Sequence, residues 1–411
     1  PRQMRIRDSL VGSGAHGQPQ QIKAAPVIRG AEALPAVEPV FLDVDLRSLT
    51  TRRAWQPGDG IKMIPRRYYP SAKLADSQAS AKPPVKKADP LLDAQAGAQV
   101  GKLAPAPLLN FSGGGFTGAS PPDTVGDIGP NYYIQSTNSS GGSVFRVYDK
   151  ETGNLVAGPA DMSSLAAGAP GIVNCSSGAG DPIILYDQAA GRWLLSEFSN
   201  TGNKLCVYIS ATGDPISGGW HAYEFGAPSF PDYPKYAVWI DAYYVGTNES
   251  GGPGIYAMDR TSMLAGQAAS IQRFNGPSLH GFGFQMITPA DFAGANPPPA
   301  NSPGLFLRHN DDEAHSPGSN NAANDFLEIF EFDVDFANPA NSTFTGPLQI
   351  PIADFDSHLC GFSTFVCIAQ PNGGIGLDPL REVVMFRPQY RNTGAYESIV
   401  GTHVTDVDNT D

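Results

Sequence analysis

The segment RHNDDEAH, residues 308 to 315, gathers two histidines, two aspartates and a glutamate within eight positions. In an extended chain alternate residues share a face. Such a face would combine two imidazoles and two carboxylates, from His309, Asp311, Glu313 and His315. This ligand set suits a borderline divalent ion such as Zn²⁺, Mn²⁺ or Fe²⁺. The alternative is a structural loop in which Arg308 pairs with the neighbouring acids.

A second candidate metal site is the acidic turn PPDTVGDIG. Its glycines and prolines favour a tight turn in which Asp123 and Asp127 could converge on a calcium ion. The alternative interpretation is a turn whose carboxylates cap backbone N–H groups without a metal.

The stretches PDYPK and WIDAYY place polar groups at the entry of predicted strands. They supply four ligand candidates, which are Asp232, Tyr233, Lys235 and Asp241. A carboxylate pair with a tyrosine and a lysine could perform the acid and base steps of glycoside hydrolysis. A sialidase would instead need three converging arginines, and nothing in the sequence brings three together.

The elements that must position these residues are short strands. From residue 106 onward, runs such as RWLLSEFS, YAVWIDAYYVGTN and FLEIFEFDVD alternate with Gly, Pro, Asn and Asp, which predicts an all-β fold. SVFRVYDKETGNLV and PIILYDQAAGRWLLSEF both place Tyr-Asp before a glycine-containing turn, as propeller hairpins do. We therefore predict a β-propeller-like domain over 106–411, with a β-sandwich as the alternative. Helical turns are expected only at 162–169 and 260–269.

Residues 1–105 differ from the rest because they are rich in proline and alanine and contain few regularly spaced apolar residues. Such a segment buries too little surface to offset its ordering entropy. We predict an extended arm or linker that contacts a partner subunit and buries little against its own domain. One island, VFLDVDL at 40–46, alternates apolar and polar residues and could add as an edge strand.

Composition excludes some functions. A net charge of −13 and a pI of about 4.9 argue against nucleic-acid binding, which requires clustered basic residues. The sequence has no apolar run long enough to span a membrane.

The four cysteines form two close pairs in sequence, Cys175 with Cys206 and Cys360 with Cys367. Neither pair has the CxxC spacing of a zinc or redox motif, so two disulfides fit better. Disulfides imply an oxidising compartment and therefore a secreted, cell-surface or periplasmic protein. Four reduced, buried cysteines in a cytosolic protein are the alternative.

Several long motifs between 110 and 411 resemble a family of large secreted bacterial proteins, most of them uncharacterised, that look like sialidase-type β-propellers. They include PPDTVGDIGPNYYIQSTN, FPDYPKYAVWIDAYYVGTNE and LDPLREVVMFRPQYRNTGAYESIVGTHV. The resemblance implies the same cysteine pairs and an RHxDDExH pattern at 308–315, but no particular reaction. Members continue with a further aromatic strand, so by this resemblance the chain looks like a fragment, a processed form or the ordered portion of a longer protein.

These observations lead to a secreted, disulfide-stabilised propeller acting mainly as a binding or assembly protein through its arm. The alternative is an extracellular carbohydrate-active hydrolase that uses Asp and Glu carboxylates at the propeller centre. The expected cofactor is at most a divalent metal, either calcium or a transition metal. Expected partners are a protein or a carbohydrate.

Overall fold

The computed structural model describes residues 25–64, 107–281, 283–315, 321–357, 359, 368–370 and 376–405. These residues fall into two compact units. The middle unit contains 32–64 and 107–275, and the terminal unit contains 25–31 and the described residues from 276 onward.

Four short strands lie within the predicted arm. They are β1 (Val27–Arg29), β2 (Glu32–Val37), β3 (Val40–Leu42) and β4 (Lys62–Met63). The first strand after the arm is β5 (Ala119–Ser120), which pairs in parallel with β4.

Three antiparallel sheets of the middle unit each contain four strands that are consecutive in the chain. Blade 1 contains β6 (Val125–Ile128), β7 (Tyr132–Ser139), β8 (Gly142–Asp149) and β9 (Leu155–Asp161). Blade 2 contains β10 (Gly178–Asp187), β11 (Arg192–Ser199), β12 (Lys204–Ser210) and β13 (Trp220–Gly226). Blade 3 contains β14 (Asp232–Val238), β15 (Ala242–Glu249), β16 (Gly252–Asp259) and β17 (Ala269–Asn275).

Two sheets belong to the terminal unit. Blade 4 contains β18 (Thr288–Pro289), β20 (Gly304–Asn310), β21 (Phe326–Asp333) and β22 (Thr343–Pro351). Blade 5 contains β19 (Asp291–Phe292), β23 (Gln389–Asn392) and β24 (Glu397–Val400), with β19 parallel to β23. The described chain is thus nearly all β, with the sheets of a five-bladed propeller arrangement, and the predicted fold class is confirmed.

Helices are short, and two of them lie where the sequence predicts helical turns, whereas the others lie outside those positions. A 3₁₀ turn spans Met162–Ala166, and helix α1 spans Arg260–Leu264 behind an N-cap formed by Asp259. Helix α2 (Asp312–His315) is a further single turn, and short 3₁₀ turns occupy Leu46–Ser48, Val173–Ser176, Ala322–Asn324 and Pro339–Asn341. Every helix in the described part of the chain is too short to cross a bilayer.

The described part of the arm adds strands to the chain's own sheets. Strand β3 pairs with β13 of blade 2, β2 with β17 of blade 3 and β1 with β22 of blade 4. The island at 40–46 thus supplies an edge strand, and Leu42 and Leu46 reach the core of the middle unit. Most residues of β1 and β2 stay exposed although both strands pair with the chain's own sheets, because backbone pairing to open sheet edges needs no apolar periodicity. The predicted boundary at 105 lies outside the described residues.

The disulfide between Cys175 and Cys206 is confirmed, with the two sulfurs 2.04 Å apart. It joins the 3₁₀ turn at Val173–Ser176 to β12 inside the apolar core of the middle unit. The predicted pair Cys360 and Cys367 lies outside the described residues.

Candidate functional site

Four charged side chains from three successive blades meet in the middle unit. We call this group the Asp–Lys cluster: Asp123, Asp181, Asp232 and Lys235. Asp123 precedes the first strand of blade 1, Asp181 lies in the first strand of blade 2, and the other two lie in the first strand of blade 3. Each of the latter three side chains is almost buried, with the residues only 6 or 7% exposed, whereas Asp123 is partly exposed.

Irregular strand pairing accompanies the convergence of these side chains. Both β10 and β14 carry register shifts, between Gly178 and Ile183 in the first and between Asp232 and Lys235 in the second. Bulges of this kind redirect side chains and are common beside active sites.

Three residues at the cluster also have positive φ without being glycine. They are Asp123 (40°), Asp181 (49°) and Tyr233 (52°). Such backbone conformations cost free energy and are found disproportionately at functional sites.

Asn138 connects two of the acids. Its Nδ2 donates to Oδ2 of Asp123 at 2.6 Å, and its Oδ1 accepts from the backbone N–H of Asp181 at 2.7 Å. Blade 3 contains a related pair, in which Asn248 lies opposite Asp232 and donates to its carboxylate at 3.4 Å. The buried amides of Asn138 and Asn248, which lie in the second strands of blades 1 and 3, thus help to position these acids.

The electrostatics of the cluster favour one retained proton. Burial raises the pKa of Asp181 well above its ordinary value, and the adjacent carboxyl of Asp123, which is in hydrogen-bonding contact, raises it further. Burial also lowers the pKa of Lys235, although the three carboxyls oppose this. The Lys235 ammonium lies 3.6 Å from the centroid of the Tyr233 ring. Asp181 can thus hold a proton next to the carboxyls of Asp123 and Asp232, and a proton donor beside a second carboxyl is what combined acid and base chemistry requires.

Two other predicted residues have described contacts outside this cluster. The carboxylate of Asp127 accepts from the backbone N–H groups of Tyr186 and Ile128, so its described contacts differ from those of Asp123. Asp241 accepts from the hydroxyl of Tyr244 at 3.3 Å. Calcium binding by Asp123 and Asp127 stays a prediction.

The RHNDDEAH segment does not remain extended as expected. Strand β20 ends at Asn310, and Asp311 then accepts from the backbone N–H groups of Glu313 and Ala314 at 2.9 and 3.3 Å. This capping starts helix α2 and turns the chain out of the strand.

The turn creates a different set of neighbours. Oxygens of Asp311, Asp312, Glu313 and Asp325 lie within 4.8 Å of one another, so these four residues, which we call the acidic cluster, could hold a metal ion. Oxygen ligands of this type suit Ca²⁺ or Mn²⁺ better than zinc.

Much of the acidic cluster also has a structural use. Asp311 accepts from the N–H and the hydroxyl of Ser357, both at 2.6 Å, and Asp325 accepts from the N–H groups of Asp312 and Phe355. Burial raises the pKa of Glu313 to about 9, with further contributions from hydrogen bonds to Asp312 and Asp311. A proton on Glu313 is therefore the competitor of a metal ion.

The two histidines of the segment are buried next to this turn. His309 Nε2 lies 2.9 Å from the carbonyl of Arg381, and His315 Nδ1 contacts the carbonyl of His280. Burial lowers the pKa of both imidazoles, so both are neutral near pH 7. Arg308 forms a buried ion pair at 2.6 Å with Glu328, which lies opposite it on β21, so the acid it pairs with comes from the neighbouring strand and not from its own segment. Metal binding by His309 and His315 stays a prediction.

Sequence reasoning missed Asp181, Asn138 and Asp325. Asp181 opens the apolar run DPIILYD and reads as the start of a strand. The repeated Thr-Asn pairs at 137–138 and 247–248 are a signal that could have marked the amides facing the acids.

Comparisons with known proteins do not identify a family for this chain. No family model and no curated protein matches the sequence. Among solved structures, the chain is similar to a GH43 β-1,3-galactosidase, with a TM-score of 0.29 and 11% identity over 59% of this chain and 48% of that chain. It is also similar to an exo-β-1,3-galactanase from Phanerochaete chrysosporium, with a TM-score of 0.25 and 9% identity over 56% of this chain and 62% of that chain. The chain spans less than two thirds of either protein, and likeness at this level carries no conclusion about activity.

Proposed function

We propose that the protein is a carbohydrate-active hydrolase whose catalytic centre is the Asp–Lys cluster. The observation that carries the proposal is the contact between Asp181 and Asp123 beside Asp232 and Lys235, where burial raises the pKa of Asp181 and favours its protonated form. Glycoside hydrolysis needs one proton donor and one carboxylate.

The geometry suggests how the roles divide. Carboxyls that flank a glycosidic bond are about 5 to 10 Å apart, so Asp123 and Asp181, which touch, act together as one acid. The partly exposed Asp123 faces the substrate and passes the shared proton to the leaving oxygen as the C–O bond breaks. Asp232 accepts the proton of the attacking water, whose oxygen forms the new bond to the anomeric carbon. The Lys235 ammonium stabilises the charge left on the acid pair.

The other candidate, a binding or assembly protein acting through its arm, has weaker support. Strands β1, β2 and β3 of the arm pair with this chain's own sheets, so the described arm is already engaged. For location, the buried disulfide supports an oxidising compartment, and we propose an extracellular or periplasmic protein.

Activity measurements on single variants test the proposal. Reducing-end release would be measured on neutral and acidic polysaccharides with Asp181→Asn, Asp123→Asn and Asp232→Asn. Loss of a general acid or base lowers the rate by about 10²- to 10⁴-fold. The matched control is Asp214→Asn, an exposed turn aspartate of the same unit that bonds only to its own turn among the contacts described. An Asp181→Asn variant with full activity, or a wild type inactive on every polysaccharide, contradicts the proposal.

A further inference from the structure

An exposed aromatic pair is formed by Trp55 of the arm and Phe116 of the segment that leads into blade 1. The two rings meet edge to face, with centroids 5.1 Å apart and an interplanar angle of 76°. Phe116 is 48% exposed and Trp55 is partly exposed. Gly118 lets the indole lie against the backbone, since a Cβ there would be 2.8 Å from Trp55 Cδ1.

The pair is anchored next to the Asp–Lys cluster. Thr117, which follows Phe116, donates its hydroxyl to the carbonyl of Asn138. Asn138 is the residue whose side chain holds Asp123 and the backbone of Asp181.

The arm is fixed against the same segment. The N–H groups of Lys62 and Ile64 donate to the carbonyls of Gly118 and Ser120, each at 2.8 Å. Asn138 in turn donates to the carbonyl of Pro121, so the hydrogen bonds continue from the arm to the cluster.

The surface around the pair is apolar and carries little net charge. Ile61 and Met63 of the arm are both more than half exposed, and the nearby Arg53 is paired with Asp59 at 2.8 Å. An exposed apolar patch beside a polar centre is typical of a binding surface. Aromatic rings suit the apolar faces of sugar rings.

We propose that Trp55 and Phe116 form a stacking subsite for a sugar ring of the polysaccharide that the Asp–Lys cluster hydrolyses. This inference rests on the proposed function. It assigns the arm a part in substrate binding.

Tryptophan fluorescence provides a direct probe. The other three tryptophans, Trp193, Trp220 and Trp239, are buried. Addition of soluble arabinogalactan, arabinoxylan or laminarin should therefore change the emission of Trp55 and protect it from acrylamide quenching. Trp55→Phe should abolish the signal and retain binding in affinity electrophoresis.

Substitutions separate this inference from the proposed function. Trp55→Ala and Phe116→Ala should weaken binding by about tenfold or more. Phe41→Ala, which removes an exposed ring from β3, is the matched control and should leave binding unchanged. Melting temperatures establish that each variant is folded, and Phe116→Ala retains the fluorescence probe. Unchanged affinity in both test variants, with Asp181→Asn inactive, would overturn the stacking subsite and leave the hydrolase standing. A wild type that neither binds nor cleaves any of the polysaccharides would overturn both.

Discussion

Glu197 makes a quantitative prediction about stability and pH. The residue lies in β11 with no exposed surface, and its carboxyl rests against Gly178, where a Cβ would be 2.2 Å from Oε2. Among the described residues, neither of its carboxyl oxygens has a hydrogen-bond partner of good geometry. Burial raises the pKa of Glu197 from 4.5 to about 8, and the adjacent Ser143 offsets only part of the increase.

The sign follows from linkage. Between pH 4.5 and 8 the unfolded chain ionises this carboxyl and the folded chain does not, so stability falls as the pH rises. At pH 7, about 2.5 pH units above the ordinary pKa, the loss is about 3 kcal/mol because each unit corresponds to about 1.4 kcal/mol. Glu197→Gln removes the titration. Its stability relative to wild type should therefore increase by about 3 kcal/mol between pH 4.5 and 7.

Urea unfolding followed by tryptophan fluorescence at several pH values measures this difference. Glu151→Gln, in an exposed turn, is the control and should follow the wild-type profile. A difference between Glu197→Gln and wild type that stays constant from pH 5 to 8 would refute the reasoning, because it would mean that Glu197 titrates alike in both states.

Three further outcomes are expected. Replacing Cys175 and Cys206 together by alanine should cost on the order of 2 to 4 kcal/mol, seen as a lower melting temperature than that of the oxidised wild type. Arg260→Met should cost about 3 to 5 kcal/mol in chemical unfolding, because it leaves the fully buried carboxylate of Asp187 without its ion-pair partner at 2.6 Å. If the acidic cluster binds a divalent ion, Ca²⁺ or Mn²⁺ should raise the melting temperature of the wild type and not that of Asp325→Ala; equal shifts in both proteins would count against a metal there.

Local patterns in the sequence were sufficient for the blades and for part of the candidate site. Alternating apolar residues and Tyr-Asp turns predict strands because each signal acts within one hairpin. Asp232 and Lys235 stand out for a similar reason, since PDYPK combines turn residues with charge. The pairing of Cys175 with Cys206 also follows from spacing and type alone.

Features that depend on tertiary pairing could not be predicted in this way. Asp181 joins the Asp–Lys cluster through the register shifts of β10, and the sequence of an apolar strand does not reveal a bulge. The arm pairs through backbone hydrogen bonds, which leave no side-chain pattern. The helical turn after Asn310 could have been predicted from the sequence. Asp311 followed by two further acids is a signal for the N-terminal end of a helix.

The pairing of the arm imposes an order on biosynthesis. Val27 pairs with Thr345, so at 5 to 20 residues per second β1 leaves the ribosome roughly 16 to 64 s before its partner. The partner of β3 is made first, at 220–222, then that of β2 and finally that of β1. In a chain that folds as it is synthesised, the arm would therefore dock from its C-terminal strand toward its N-terminus. The outer edges of blades 2, 3 and 4 would then close one after another, each only when its last strand has emerged.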